Sequence, residues 1–211
     1  MNRQEMKYFT QTEVKSFLEA AKTDRYYAAF LLAIETGMRP EEYLGLQWKD
    51  VDFDKGVLSV RRVVITLKGG GFYFAEPKTS KSRRSIPLSD TVSTALKVHK
   101  RIQLEEKMKL GLDYQNLDLV FASTIGTPVQ HRNFDRRHFA VIRDKANLPA
   151  IRLYDLRHTT ATLLLSAGLN PKVVSERLGH ASIVLTLDTY SHVLPTMQQD
   201  ATDRLGRVLY G

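Results

Sequence analysis

The chain has 211 residues and a formal net charge of +8, from 31 Lys or Arg against 23 Asp or Glu. That length is enough for one well-buried domain, and the absence of cysteine excludes disulfides, thiolate metal sites and cysteine nucleophiles and fits a reducing cytoplasm. No apolar run approaches the ~20 residues of a membrane span, and Met1 to Glu5 lacks the apolar core of a signal peptide, so a soluble protein with no membrane partner is expected.

Thr10-Gln11-Thr12-Glu13 reads as a capping box, and Val14, Phe17, Leu18 and Ala21 continue at helical spacing, so a first helix is predicted over 10–22. A second, apolar helix over 25–35 ends at Gly37, and Pro40 then opens a short helix carrying Glu41, Glu42 and Leu44. Arg39 falls at the junction, where a side chain reaches outward. From Val57 the texture turns to β, with strands predicted over 57–67, 72–75 and 83–88, separated by Gly69-Gly70-Gly71 and by Lys78 to Lys81. The glycine triplet is a hairpin turn and not a phosphate loop, because no helix and no Gly-Lys-Ser/Thr follow it. Helices are then expected over 89–110, 131–146, 154–167, 171–178, 182–191 and 196–208, punctuated by Gly111, Gly168, Pro171, Gly179 and Pro195. The resulting class is α+β: mainly helical, with one small three-stranded antiparallel sheet.

The charge is concentrated. Residues 61–110 hold twelve Lys or Arg against four acidic residues, and Arg132, Arg136, Arg137, Arg143 and Lys145 form a second cluster. A polyanion such as nucleic acid is the natural partner of this distribution, and a solvated basic face is the plainer alternative. The chain also holds Arg39, Arg157, His180 and Tyr190 in short, polar-rich segments. Such a set suits metal-free phosphodiester cleavage, with cationic donors gripping phosphoryl oxygens while a phenolic oxygen attacks phosphorus.

Four segments carry a closer likeness: Thr36 to Glu42, then Pro77-Lys78-Thr79 with Arg83 to Leu88, then Tyr154-Asp155-Leu156-Arg157-His158, then Leu178-Gly179-His180 through Tyr190-Ser191-His192. In this order and spacing they resemble the catalytic domain of tyrosine recombinases, the phage and transposon integrase family. The resemblance implies that fold, and implies DNA integration and recombination by a DNA strand transferase with a 3′-phosphotyrosyl intermediate, needing neither metal nor cofactor. It implies Tyr190 as nucleophile, Arg39 and Arg157 as the grip on the non-bridging oxygens, Lys78 as acid toward the leaving 5′-oxygen, and His180 as a hydrogen-bonding partner of the scissile phosphate. Glu42 is expected to orient Arg39, and Lys81, Arg83 and Arg84 to contact DNA phosphates. Tyr154 departs from the family, which usually has histidine there. At neutral pH a phenol donates a hydrogen bond but rarely accepts a proton, so Tyr154 is expected to be a neutral donor. His158 is not expected to replace the missing histidine, because it points about 100° away from its neighbour Arg157 around a helix. His192 is expected to support the fold.

The likeness further implies that residues 1–211 are a single catalytic domain, with N-terminal core-binding and arm-binding domains absent from this chain. It implies a bacterial or phage-encoded mobile-element protein acting in the cytoplasm on double-stranded DNA, monomeric alone and a homotetramer on DNA through the full-length protein. Alternatives are type IB topoisomerase-like strand relaxation and a catalytically silent DNA-binding module.

Overall fold

The structure, a computed structural model, describes residues 7–67, 69–190, 202–203 and 205–210. Helix α1 (Gln11–Ala21) opens with the expected capping box, in which the Thr10 hydroxyl accepts from the Glu13 N–H and Glu13 accepts from the Thr10 N–H. Its buried face, Val14, Phe17 and Ala21, lies on α2 (Tyr27–Thr36), which is buried along almost its whole length. A short α3 (Pro40–Leu44) follows Gly37. The aromatic centre of the core is Phe9, Phe17, Phe30, Phe134 and Phe139, all fully buried. Phe17 meets Phe30 edge-on at 5.3 Å between ring centroids, the arrangement that aromatic quadrupoles favour.

Two short antiparallel sheets replace the one predicted. Strands β1 (Val51–Asp52), β2 (Val57–Val60) and β5 (Arg84–Pro87) form a three-stranded sheet in the order β1-β2-β5, with Leu58 opposite Ile86 and Val60 opposite Arg84. Strands β3 (Val63–Thr66) and β4 (Phe72–Ala75) pair only with each other, around the glycine turn. The run read as one strand over 57–67 breaks at Arg61 and Arg62. The cause is Asp50, a buried carboxylate that draws in the Arg62 guanidinium and so takes this stretch out of the ladder; a buried charge needs such a partner. The hairpin β3–β4 then packs on α3.

Helix α4 (Asp90–Leu110) is capped by the Ser89 hydroxyl, which accepts from the Val92 N–H. The helix read over 131–146 is α5 (His131–Phe134) and α6 (Ala140–Lys145), joined by a turn of π-helix over Asp135–Phe139. Helices α7 (Asp155–Ser166), α8 (Pro171–Leu178) and α9 (Ile183–Thr189) complete the arrangement close to the expected bounds. Of the last predicted helix, 202–203 and 205–208 are helical, and 196–201 and 204 lie outside the described residues, as does His192.

Candidate active site

Four pieces of chain meet here: the α2–α3 junction, the start of α7, the α8–α9 turn and the edge strand β5. Gly37 makes the first junction possible. It closes α2 with φ +66°, and a Cβ there would stand 2.5 Å from Leu178 Cδ2, so a side chain would both strain the backbone and push α8 away. Its carbonyl accepts from Arg157 Nη1 at 2.8 Å, which ties α7 to the same turn.

Arg39 precedes α3 in extended conformation. Glu42, 1% exposed, accepts from the Arg39 backbone N–H at 2.9 Å and from Arg39 Nη1 at 2.8 Å. The same carboxylate accepts from both Nη atoms of Arg84, at 3.2 and 2.9 Å. Burial pushes the Glu42 carboxyl up, but Arg84, the Arg39 N–H and the Arg39 charge overcome it and hold the group below the usual carboxylate range. Glu42 therefore stays ionised and fixes two guanidinium groups.

Arg84, expected from the sequence to contact DNA phosphate, is instead held by protein groups. Its side chain is largely buried, with Nε donating to the Arg177 carbonyl at 2.6 Å in addition to the Glu42 pair. A strand position facing inward beside a buried carboxylate captures the charge for structural use. Its neighbour Arg83, on the other face of the strand edge, is exposed and pairs with Glu76. Lys81 donates to the Ala181 carbonyl at 2.8 Å and so links the β4–β5 segment to the turn holding His180. Lys78 follows buried Pro77 on a bend, exposed, with no ion pair or hydrogen bond among the described residues.

Arg157 is 2% exposed. Nη1 is satisfied by Gly37, while Nη2 is buried with no hydrogen-bond partner among the described residues. Burial and then the nearby Arg39 charge lower its pKa to about 10. A buried cation beside a second one, with a spare donor, is an expensive arrangement that an anion would relieve.

His180 follows Gly179, the left-handed cap of α8, whose missing Cβ leaves room for Arg84 and the Lys81 carbonyl within about 3 Å. His180 Nδ1 lies 2.7 Å from the hydroxyl of Thr186, which is fully buried in α9. Burial, then Arg157, Arg39 and Arg84, depress the imidazole to about 4, so it is neutral at pH 7. Tyr190 ends α9, 1% exposed, and its Oη lies 2.8 Å from His158 Nδ1. Burial pushes the phenol well above its ordinary value against the opposing charge of Arg157.

The structure thus gathers Arg39, Glu42, Arg157, His180 and Tyr190 in one place, with Tyr154 beside Arg39 and in edge-on contact with the His158 ring at 5.5 Å. His158, not expected from the sequence to replace the missing histidine, lies in contact with Tyr190. Spacing held the signal, since 154 and 158 are one turn apart on one helix face, and the comparison with position 157 obscured it. Among the described residues, no group of three or more His, Asp or Glu side chains is placed to hold a metal ion, and no helix is long and apolar enough to cross a membrane.

The description "Phage integrase family" belongs to the family model that matches residues 7–197. The chain belongs to this family. It is 36% identical over 212 residues to a "Tyrosine recombinase XerC-like" protein of Caldanaerobacter subterraneus subsp. tengcongensis, covering 95% of this chain and 54% of that one. It is 31% identical to the ICEBs1 integrase of Bacillus subtilis, over 99% of this chain and 56% of the relative. The chain therefore spans about half the length of these curated family members. Among solved structures, the Tn1549 transposon integrase in complex with transposon right end DNA superposes with a TM-score of 0.81 at 27% identity, covering 97% of this chain and 68% of that one. The fold is that of a tyrosine recombinase catalytic domain.

Proposed function

We propose that the chain is the catalytic part of a site-specific DNA recombinase that cuts and rejoins strands through a 3′-phosphotyrosyl link. The observation that carries this reading is Arg157: a buried guanidinium with a spare donor, set beside Arg39, a neutral His180 and the phenol of Tyr190. A scissile phosphate placed there would meet donors fixed before it arrives, which favours the transition state because no reorganisation is needed as charge grows on phosphorus. In this reading Tyr190 Oη forms the bond to phosphorus as the bond to the 5′-oxygen breaks. Lys78 hands a proton to that leaving oxygen. His180 donates from its outer nitrogen, because the buried Thr186 hydroxyl occupies Nδ1.

Double-stranded DNA is the proposed partner, supported by the excess of basic side chains over residues 61–110 and by the DNA-bound state of the Tn1549 integrase. Exposed Lys78, Lys81 and Arg83 would lie toward it. We propose that 1–211 is one catalytic domain that is monomeric alone and acts as a tetramer on DNA in the full-length protein, which sedimentation with and without DNA would test. The activity test is a nicked suicide substrate, whose short 5′-ended product diffuses away and leaves the enzyme joined to DNA. A denaturation-resistant adduct is expected from the parent chain and none from Tyr190→Phe. An adduct that persists in Tyr190→Phe overturns the assignment.

A further inference from the structure

We propose that His158 is the group that takes the proton from Tyr190 as the phenolic oxygen attacks, so that in this chain the base has moved one helical turn along α7 from position 154. This rests on the reading of Tyr190 as nucleophile. Three observations carry it. The His158 Nδ1 to Tyr190 Oη distance is 2.8 Å, direct hydrogen-bond contact with the reacting atom. The Tyr154 ring stands edge-on against His158, with centroids 5.5 Å apart and planes at 65°, and the Tyr190 ring meets it from the other element at 5.9 Å. His158 is thus braced between two aromatic rings, on the same helix face as Tyr154, which stands where the resemblance leads one to expect histidine.

The step balances. The Oη–H bond of Tyr190 breaks and its proton passes to His158 Nδ1, while the freed electron pair forms the bond from Oη to phosphorus. The phosphorus to 5′-oxygen bond breaks in the same step, and the departing oxygen takes a proton from a separate acid, proposed above as Lys78. In rejoining, the 5′-hydroxyl gives its proton back to Lys78 as its oxygen bonds to phosphorus, the bond from phosphorus to Tyr190 Oη breaks, and His158 returns its proton to Oη. For this cycle the imidazole must start neutral. The charged and titratable groups around it are Asp155, Arg157, Arg152 and Tyr154 on its own segment, and Tyr190 and His180 from α9 and its lead-in. Burial lowers the His158 pKa, Asp155 opposes this, and Arg157 and Arg152 add to it, leaving the ring below its ordinary value and neutral at pH 7. Cleavage by the parent should rise with pH while His158 loses its proton, then level off at a lower pH than an ordinary histidine would set.

The test is single-turnover formation of the covalent adduct on a nicked suicide substrate, with the full chain and its His158→Asn and His158→Ala variants. Asparagine keeps an oxygen near the Nδ1 position but removes its basicity. His158→Asn is expected to slow adduct formation by about 100-fold or more, the range of a general base, with unchanged DNA binding and without the acidic limb of the pH profile. Added imidazole should restore part of the rate to His158→Ala. A substrate with sulfur in place of the 5′-bridging oxygen, which needs no proton to leave, should rescue Lys78→Ala and not His158→Asn. Should His158→Ala prove poorly folded by its thermal midpoint, His158→Asn carries the comparison. Parent-like rate and pH profile in His158→Asn overturn the proposal while leaving Tyr190 as nucleophile. An adduct that survives Tyr190→Phe instead overturns the functional reading beneath it.

Discussion

Arg39 and Arg157 hang from α3 and α7 where these enter the large core, and each is pinned by a named partner, Glu42 for one and the Gly37 carbonyl for the other. Tyr190 belongs to a much smaller cluster, with Ala161, Leu165, Val174 and Leu178. Its helix α9 is seven residues long and turns Val184 and Leu185 half-exposed to solvent. The cationic half of the site is thus built into the larger core, and Tyr190, the proposed nucleophile, follows an element held by few apolar contacts. Under the proposed strand-transfer reading this division is useful. Cationic donors gain from being fixed before charge develops, whereas a tyrosine that must leave one phosphate and later be regenerated needs an element that shifts cheaply.

The sharpest break in this contrast is Tyr190→Phe, which should remove adduct formation entirely while DNA binding stays within a few-fold, as measured by trapping and by filter binding. Next, Arg157→Lys should lose roughly 3 to 4 kcal/mol of transition-state stabilisation in single-turnover cleavage, because a point charge restores neither the Gly37 contact nor the second donor. Normal cleavage by Arg157→Lys would move that residue from the chemistry to the scaffold.

Glu42→Gln tests the clamped half as structure. It leaves Arg39 and Arg84 without their shared counter-charge and should destabilise the fold by about 3 kcal/mol in urea titration, the usual cost of breaking a buried pair. The sign with pH follows from the depressed carboxyl. The folded value lies below the unfolded one, so this stability is present above the unfolded carboxylate value near ~4.3 and is lost as pH falls through the folded value. The gap between parent and Glu42→Gln should therefore close in acid and stay constant near neutrality.

A smaller effect separates Arg83, just before β5, from Arg84, its first residue. Arg83→Ala should flatten the slope of log K against log salt by about 0.9, the share of one phosphate contact. Arg84→Ala should leave that slope alone and lower stability, because its charge is spent on Glu42. Equal flattening by both would place Arg84 on the DNA after all. The smallest change expected is Tyr154→Phe, about 0.5 to 1.5 kcal/mol in cleavage, the net worth of one hydrogen bond.

Much of the molecule was legible before any folding was considered. Local signals are short-range and additive, so the Thr10 capping box, Pro40 after Gly37, Pro171 and Gly179 marked helix ends that the structure reproduces within a residue or two. What the sequence concealed were choices settled by distant partners. The strand over 57–67 looked continuous because β-branched residues flank Arg61 and Arg62 on both sides, whereas the structure breaks it where Arg62 turns to the buried Asp50. Arg83 and Arg84 are identical letters side by side, yet strand alternation turns one to solvent and the other to Glu42, which stands 42 residues away.

The sequence by itself determined the helical framework, the excess of positive charge and the segments holding Arg39, Lys78, Arg157, His180 and Tyr190, because propensity, capping and motif spacing act within a few residues. Tertiary structure alone decided what each of those side chains touches. Whether a guanidinium is a spare donor, as at Arg157 Nη2, or a spent one, as at Arg84, depends on which carboxylate or carbonyl the fold buries beside it. The same holds for His158, whose proximity to Tyr190, 32 residues later in the chain, arises only when α8 packs on α7 and α9 on α8.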